Sequence, residues 1–387
     1  MAKRGERILS KSSKVSKAPG PKGPSELGDV GNAEGVRITG RGRPLPNVSE
    51  KPGWDNATPG PLHLLGLQGM PRSELLEYLH LTAELAGEHK SNHSRGWEGT
   101  ADSGTLKGRV VANLFFEDST RTRTSFSIAA KRLGGDAVDL ISAASSVNKG
   151  ETLIDTARTV EAMGVAALVV RSKQSGVAHS ISLNVACPVI NAGDGKHEHP
   201  TQGLLDIFTI AEHYDCLASF NLSGLTIAIV GDVISSRVAR SAIAGLTTLG
   251  ATVVCVGPTS MVPASVKSLG AQIDRDMDSI VERADALMML RIQFERAESG
   301  GSSAGAKTEG NKTPGIASVR EYRERYALLE SRAARMKKGA IVMHPGPMNR
   351  GIEVDGPVAD GPRSVILRQV WNGVLVRMAV MTRLLSS

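Results

Sequence analysis

An α/β architecture with two parallel-sheet domains is the fold class that this sequence predicts, on three observations. From Leu64 onward, short apolar runs alternate with helical runs, the pattern in which parallel strands are joined through covering helices. The alternation restarts at Leu225-Thr-Ile-Ala-Ile-Val-Gly-Asp232, so two such series follow one another. A length of 387 residues at 41% hydrophobic content is ample for sizeable cores, and each series is expected to have its own.

Runs of four to eight apolar residues are read as strands, and longer stretches with helical spacing as helices. The first series then holds a helix over 72–86, a strand over 110–116, a helix after Thr122, a short strand over 137–141, a helix over 152–163 and strands over 166–170 and 188–191. A long helix over 201–214 leads out of it. The second begins with the strand run 225–232 and continues with a helix over 238–249, strands over 251–256, 286–290 and 340–344, and a closing helix over 364–385. Between 298 and 315 the composition collapses to Ser, Gly, Ala, Lys, Thr and Asn, which predicts a mobile loop. The polar stretch 89–105 reads as a surface excursion.

The net charge of +7 is unevenly placed. Residues 1–60 carry eleven Lys and Arg against six Asp and Glu, a net +5, which leaves +2 for the other 327 residues. Those first 60 residues are rich in Lys, Ser, Gly and Pro and cannot bury enough surface to offset the entropy of ordering, so a disordered basic tail is expected. No aromatic residues interleave its lysines as stacking platforms, which disfavours nucleic acid. Its Arg and Ser content leaves an organellar presequence open, though its Pro and Gly argue against an amphipathic helix. No apolar run approaches the roughly 20 residues that span a bilayer, and the amino terminus lacks the apolar segment of a secretory signal, so a cytoplasmic, non-membrane protein is expected. Cys187, Cys216 and Cys255 are odd in number and widely spaced, and read as small hydrophobes rather than disulfides.

Chemistry concentrates at strand ends. Ser119-Thr120-Arg121-Thr122-Arg123 follows the 110–116 strand and opens a helix, where unsatisfied N–H groups and the positive end of the dipole face the same space. Two guanidinium groups sharpen the preference to phosphate or carboxylate, because Arg presents a planar fork of donors. An ordinary Ser N-cap with surface arginines is the plain alternative. Arg237 also begins a helix, a position the dipole disfavours for a cation unless an anion sits there. The preceding Ile229-Val-Gly-Asp232 invites a dinucleotide, but the glycines that let a pyrophosphate approach are missing, so no nicotinamide cofactor is expected. Arg171 and Arg291 each terminate a buried strand. His197-Glu-His199-Pro-Thr-Gln202 lies in a Gly-containing loop at a strand's carboxyl end, where open α/β sheets place ligands. Two His and one acid lack the third and fourth ligands zinc takes, so no metal is expected, and hydrogen bonding from His199 and Gln202 to a polarised carbonyl is the better use. Four Arg-bearing strand ends point to an enzyme for polyanionic small molecules.

Taken together, Phe116-Glu-Asp-Ser-Thr-Arg-Thr-Arg123, Val170-Arg171, His199-Pro-Thr-Gln202, Arg291-Ile-Gln293 and His344-Pro-Gly-Pro-Met-Asn-Arg350 resemble the aspartate and ornithine carbamoyltransferase family over about 62–387. The resemblance implies two doubly wound parallel-sheet domains joined by helices: residues 61–212 for carbamoyl phosphate, 213–363 for aspartate, and a helix over 364–387 packing back on the first. Ornithine enzymes of the family carry His-Cys-Leu-Pro where this chain has His344-Pro-Gly-Pro347, which points to aspartate as the amine. The implied reaction moves the carbamoyl group of carbamoyl phosphate to L-aspartate, giving N-carbamoyl-L-aspartate and phosphate for pyrimidine synthesis. Its rivals are transfer to another amine such as ornithine, and a silent assembly partner of a dihydroorotase.

By the same resemblance, Ser119, Thr120, Arg121 and Thr122 hold the phosphate, with Arg171, His199 and Gln202 around the carbamoyl group. Arg237, Arg291 and Gln293 hold the carboxylates of aspartate, joined by Gly346 and Pro347. Ser145 and Lys149 match a loop that reaches into a neighbouring subunit's site, which makes the active unit a homotrimer. Glu117 and Arg296 fit positions that pair across the domains during closure. No cofactor or metal is implied, and association with dihydroorotase or regulatory chains stays open.

Overall fold

The computed structural model describes residues 63–91, 104–141, 152–292 and 318–386. The basic tail and the 298–315 insertion lie outside the described residues. Along the first series run α1 (Arg72–Ser91), β1 (Val110–Phe115), α2 (Thr120–Arg132), β2 (Asp136–Ile141), α3 (Leu153–Ala162), β3 (Ala167–Ser172), α4 (Val177–Ser182), β4 (Val189–Asp194) and α5 (Pro200–His213). The second has β5 (Thr226–Val230), α6 (Arg237–Thr248), β6 (Thr252–Val256), β7 (Gln272–Asp274), α7 (Met277–Val281), β8 (Ala286–Met289) and β9 (Ile341–Met343). The C-terminal helix spans Ile366–Leu385.

Each series forms one wholly parallel sheet, in the orders β2-β1-β3-β4 and β7-β6-β5-β8-β9. β1 shows why a parallel strand must be apolar throughout. Val111 and Phe115 enter the main core, while Ala112 and Leu114 point to the opposite face, where they meet Leu168 and Val170 of β3 and Ala157 of α3. Asn113 interrupts the run, and its amide nitrogen donates to Asp139 Oδ1 at 2.7 Å and to Ser127 Oγ at 3.1 Å.

The expectation of a separate core for each series is corrected. Apolar residues of both sheets form one continuous cluster, and a smaller one covers the outer face of the first sheet. The bridge is α5, buried on all sides from Pro200 to Ala211, which packs on α6 and on the C-terminal helix. That last helix lies against α1, α2 and α5, as the resemblance implied. It is pinned there by Arg377, whose guanidinium stacks 5.0 Å from the Phe126 ring and donates to Ser125 Oγ at 2.9 Å.

Sequence periodicity misses the short elements α4, β7 and α7 and a helix over Val319–Tyr326. The last is mostly polar and buries only Tyr322 and Tyr326, four residues apart, too narrow a stripe to register.

Candidate active site

In the first sheet the winding reverses between β1 and β3, and in the second between β5 and β8. Ligands of open α/β sheets bind beyond the strand ends at such points. At or beyond the ends of these four strands stand Ser119 to Thr122, Arg171, Arg237 and Arg291.

At the first reversal, α2 begins after Ser119, whose backbone (φ −158°, ψ 83°) sets it outside the helix and whose hydroxyl makes no capping bond. The first turn of α2 holds no acidic residue, so its leading N–H groups have no carboxylate within the turn. Thr120 and Arg121 are exposed, with Ser119 and Thr122 half-buried. Arg123 departs from the expected pair of guanidinium groups: its Nε lies 3.3 Å from Asp139 Oδ2 on β2, so it braces the sheet instead of the cradle.

Arg171, on β3, donates to Ala192 O at 3.0 Å and to Thr122 Oγ1 at 3.4 Å, and lies 3.4 Å from Glu117 Oε1. Arg237 is 7% exposed and grips both oxygens of Glu117, at 3.0 and 2.9 Å. The anion that the dipole argument demanded beside Arg237 is therefore, in this structure, a side chain of the chain itself. Gly193 lies between the two guanidinium groups with φ +117°, and a Cβ there would sit 2.9 Å from Arg237 Nε and 3.3 Å from Arg171 Nη1.

Arg291 follows β8, and its charge, after burial, holds the Arg121 guanidinium below its usual range. The two cations from the two reversals thus share one neighbourhood. Gly346 joins them: it has φ +62°, and a Cβ on it would lie 2.7 Å from Arg121 Nη1. The Gly346-Pro347 peptide is cis. His344 shapes this turn by accepting from Gly346 N–H at 2.8 Å through Nδ1, which leaves the proton on Nε2 facing Glu353 Oε1 at 3.3 Å.

His199 is the N-cap of α5 and 4% exposed; its backbone N–H donates to Ser241 Oγ at 2.9 Å. Burial first, then the charges of Arg171, Arg237 and Arg377, push its pKa well below the ordinary histidine value, so the ring is neutral. Its Nδ1 is buried without a hydrogen-bond partner. Gln202 is drawn partly away from the expected carbonyl role, since its amide donates to Asp206 Oδ1 at 2.9 Å. The rest of that motif is structural: His197 pairs with Asp194 at 3.1 Å, and Glu198 accepts from Leu67 N–H at 2.7 Å and Ser241 Oγ–H at 2.8 Å.

Ser145, Lys149, Gln293 and Arg296 lie outside the described residues. Sequence reasoning missed the hold of Glu117 on Arg171 and Arg237, and it missed Asp206. The signal for Asp206 was present, as an acid four residues after Gln202 shares its helix face. Among the described residues no group of three His, Cys, Asp or Glu could hold a metal ion, and no helix is long and apolar enough to cross a membrane.

Two family models match the chain. One, described as the carbamoyl-P binding domain of aspartate/ornithine carbamoyltransferase, covers residues 62–212, and the other, the Asp/Orn binding domain, covers residues 223–384. The aspartate carbamoyltransferase catalytic subunit of Myxococcus xanthus is 48% identical over 320 residues, spanning 82% of this chain and 98% of the relative. Its counterpart in Gluconacetobacter diazotrophicus is 49% identical over 319 residues, spanning 82% and 91%. Aspartate transcarbamoylase from Trypanosoma cruzi, crystallised with carbamoyl phosphate and aspartate, superimposes with a TM-score of 0.68 at 28% identity, over 84% of this chain and 95% of that one.

Proposed function

Because this chain belongs to the aspartate/ornithine carbamoyltransferase family, we propose that it transfers the carbamoyl group of carbamoyl phosphate to the amine of L-aspartate. The products are N-carbamoyl-L-aspartate and phosphate, and the process served is pyrimidine synthesis. The observation that carries this reading is the convergence of arginines from both sheet reversals: Arg171 and Arg237 on Glu117, and Arg121 within range of Arg291.

Residues 61–212 form the carbamoyl phosphate domain in this proposal, and residues 213–363 the aspartate domain. The phosphate sits at the open end of α2, taking hydrogen bonds from Ser119, Thr120, Arg121 and Thr122. Thr122, Arg171 and His199 point donors at the carbamoyl oxygen, with Gln202 beside it. As the amine attacks, charge grows on that oxygen, and each preorganised donor contributes about 3 to 4 kcal/mol toward the barrier. A neutral His199 suits this role, since it donates one N–H without adding a charge that burial would penalise. The departing phosphate accepts the amine proton, so no separate general base is needed.

Arg237, Arg291 and Gln293 take the two carboxylates of aspartate, with the Gly346-Pro347 turn closing over them. Electrostatics favour aspartate over ornithine, because the surplus of guanidinium groups would repel a second ammonium.

A homotrimer in the cytoplasm completes the proposal, with Ser145 and Lys149 lent by a neighbouring subunit. Support comes from β2, an edge strand that leaves Val138 41% and Leu140 36% exposed where the 142–151 segment begins, with Ile128 of α2 38% exposed. Apolar side chains at an open sheet edge favour a protein partner. Free cysteines fit a reducing compartment.

The test is phosphate release from carbamoyl phosphate with aspartate, ornithine or no amine. Release only with aspartate supports the reading, and release only with ornithine overturns the substrate. Mixing inactive Arg121→Ala and Lys149→Ala chains tests the shared site: recovered activity requires both residues to meet at one centre from different subunits.

A further inference from the structure

The two halves of the crevice are joined by more than their arginines. Asp206, wholly buried on α5, accepts at Oδ1 from Gln202 Nε2 at 2.9 Å and from Gln369 Nε2 at 2.8 Å. Gln369 lies on the C-terminal helix and is 2% exposed. Its other amide atom, Oε1, accepts from His344 N–H at 3.0 Å. A backbone N–H can only donate, which fixes the orientation of this amide.

From His344 the bonds continue in two directions. Nδ1 takes the Gly346 N–H at 2.8 Å, and Nε2 faces Glu353 Oε1 at 3.3 Å. That same oxygen accepts from Asn349 N–H at 2.7 Å, and the Asn349 side chain donates to Ile292 O at 3.0 Å, one residue beyond Arg291. A single buried amide therefore stands between Gln202 at one end and both Gly346 and Arg291 at the other. No substrate-facing role explains it.

We propose that Gln369 is a positioning residue, a strut that fixes the Gly346 turn and the Arg291 strand end against the Gln202 side of the crevice. The inference rests on the functional reading above in naming those ends as amine and carbamoyl sides. Buried hydrogen bonds of this kind specify one arrangement because losing one partner strands the other in a low dielectric. With the strut cut, the start of α2 keeps its own backbone geometry, since none of its bonds runs through Gln369, and of the cradle only the tip of Arg121 touches the Gly346 turn. The amine side becomes free to shift, and a misplacement of about 1 Å at a reacting centre costs on the order of 100-fold.

The test uses the full chain carrying Gln369→Met, which keeps the volume and loses both hydrogen bonds, and Gln369→Glu, which keeps the acceptor for His344 N–H. In Gln369→Met the KM for aspartate is expected to rise about tenfold or more while the KM for carbamoyl phosphate moves less than twofold. Gln369→Glu is expected to fall between that variant and wild type. Hydrogen exchange without substrate supplies a readout independent of activity. Amides of Gly346 and Asn349 should exchange at least tenfold faster in Gln369→Met, with β5 amides unchanged. Equal rises in both KM values, or uniform acceleration of all amides, would mean a merely structural glutamine and overturns the strut, as does an unchanged variant. If Gln369→Met does not fold, Gln369→Glu and Asn349→Ala carry the same two measurements, and loss of selectivity there overturns it too. A wild type that fails to turn over aspartate overturns the functional reading alone, because the exchange pattern still decides the strut.

Discussion

At the end of β1, α2 begins without using the hydroxyl of Ser119, whereas at the end of β5, α6 begins with Ser236 accepting from Ala239 N–H at 3.1 Å. The first helix start also leaves Arg121 exposed, while the second buries Arg237 and neutralises it with Glu117. Both are parallel-sheet reversals with an arginine at a helix start, so the fold alone does not dictate the difference. An open start holds donors ready for an anion that arrives from solution. A closed start spends its donors internally: Glu117 holds Arg237 in register, and an incoming carboxylate must share or displace that grip.

The largest expected effect comes from breaking the open end. Arg121→Ala should lower kcat by roughly 10²- to 10³-fold, the size seen for removing one donor to developing charge. Because the side chain is exposed, the unfolding midpoint should move little. Measured turnover within fivefold of wild type would mean that α2 is not the phosphate site.

Next in size is a change that disturbs the closed end without replacing a charged group. Gly193→Ala puts a methyl 2.9 Å from Arg237 Nε at a φ that L residues rarely adopt. Stability should fall by about 1 to 3 kcal/mol, and the KM for aspartate should rise several-fold as Arg171 and Arg237 are pushed apart. Denaturant unfolding and steady-state kinetics on one preparation check both. A Gly193→Ala enzyme with normal stability and kinetics would mean that the close approach is not needed.

Strand runs, the arginines at their ends and the hydroxyl-rich turn were legible in the sequence, since each is a local pattern: an apolar run must be buried, and its end must carry polar groups. The pairing of Glu117 with Arg237 was not, because 120 residues separate the partners and nothing local distinguishes a carboxylate that meets a remote cation from one that meets water. Arg123 misled for the same reason. It sits two residues from Arg121, yet a helix turns it toward Asp139. The single continuous core was hidden too, since nothing in the spacing of α5 says which neighbours cover its several apolar sides.

An effect seen only as pH changes separates the strut beneath the two ends from the ends themselves. Burial raises the Asp206 carboxyl to about 7 against the lowering influence of the Gln369 and Gln202 amides and Arg377. A group held protonated in the fold but released by the unfolded chain stabilises below its unfolded value near 3.8, and that stabilisation is lost as pH rises toward 7. Asp206→Asn cannot titrate, so the difference between the unfolding free energies of wild type and variant should shift by a few kcal/mol from pH 4 to pH 7, in favour of the variant as pH rises. A constant difference across that range would place the wild-type proton elsewhere.

The smallest expected change in pH dependence is at His199, which lies between the two ends and should leave the profile's shape unaltered. Burial and the charges of Arg171, Arg237 and Arg377 keep its ring neutral well below pH 6.5. The pH dependence of kcat between 6 and 8 should therefore have the same shape in wild type and His199→Gln, with the variant lower by a constant factor of about 10² for the lost donor. An acid limb with a midpoint between 6 and 7 that the variant lacks would mean that the reacting form is an imidazolium. The guanidinium groups of Arg171, Arg237 and Arg377 would then not dominate the field at His199, because three nearby cations resist a fourth positive charge in a buried space.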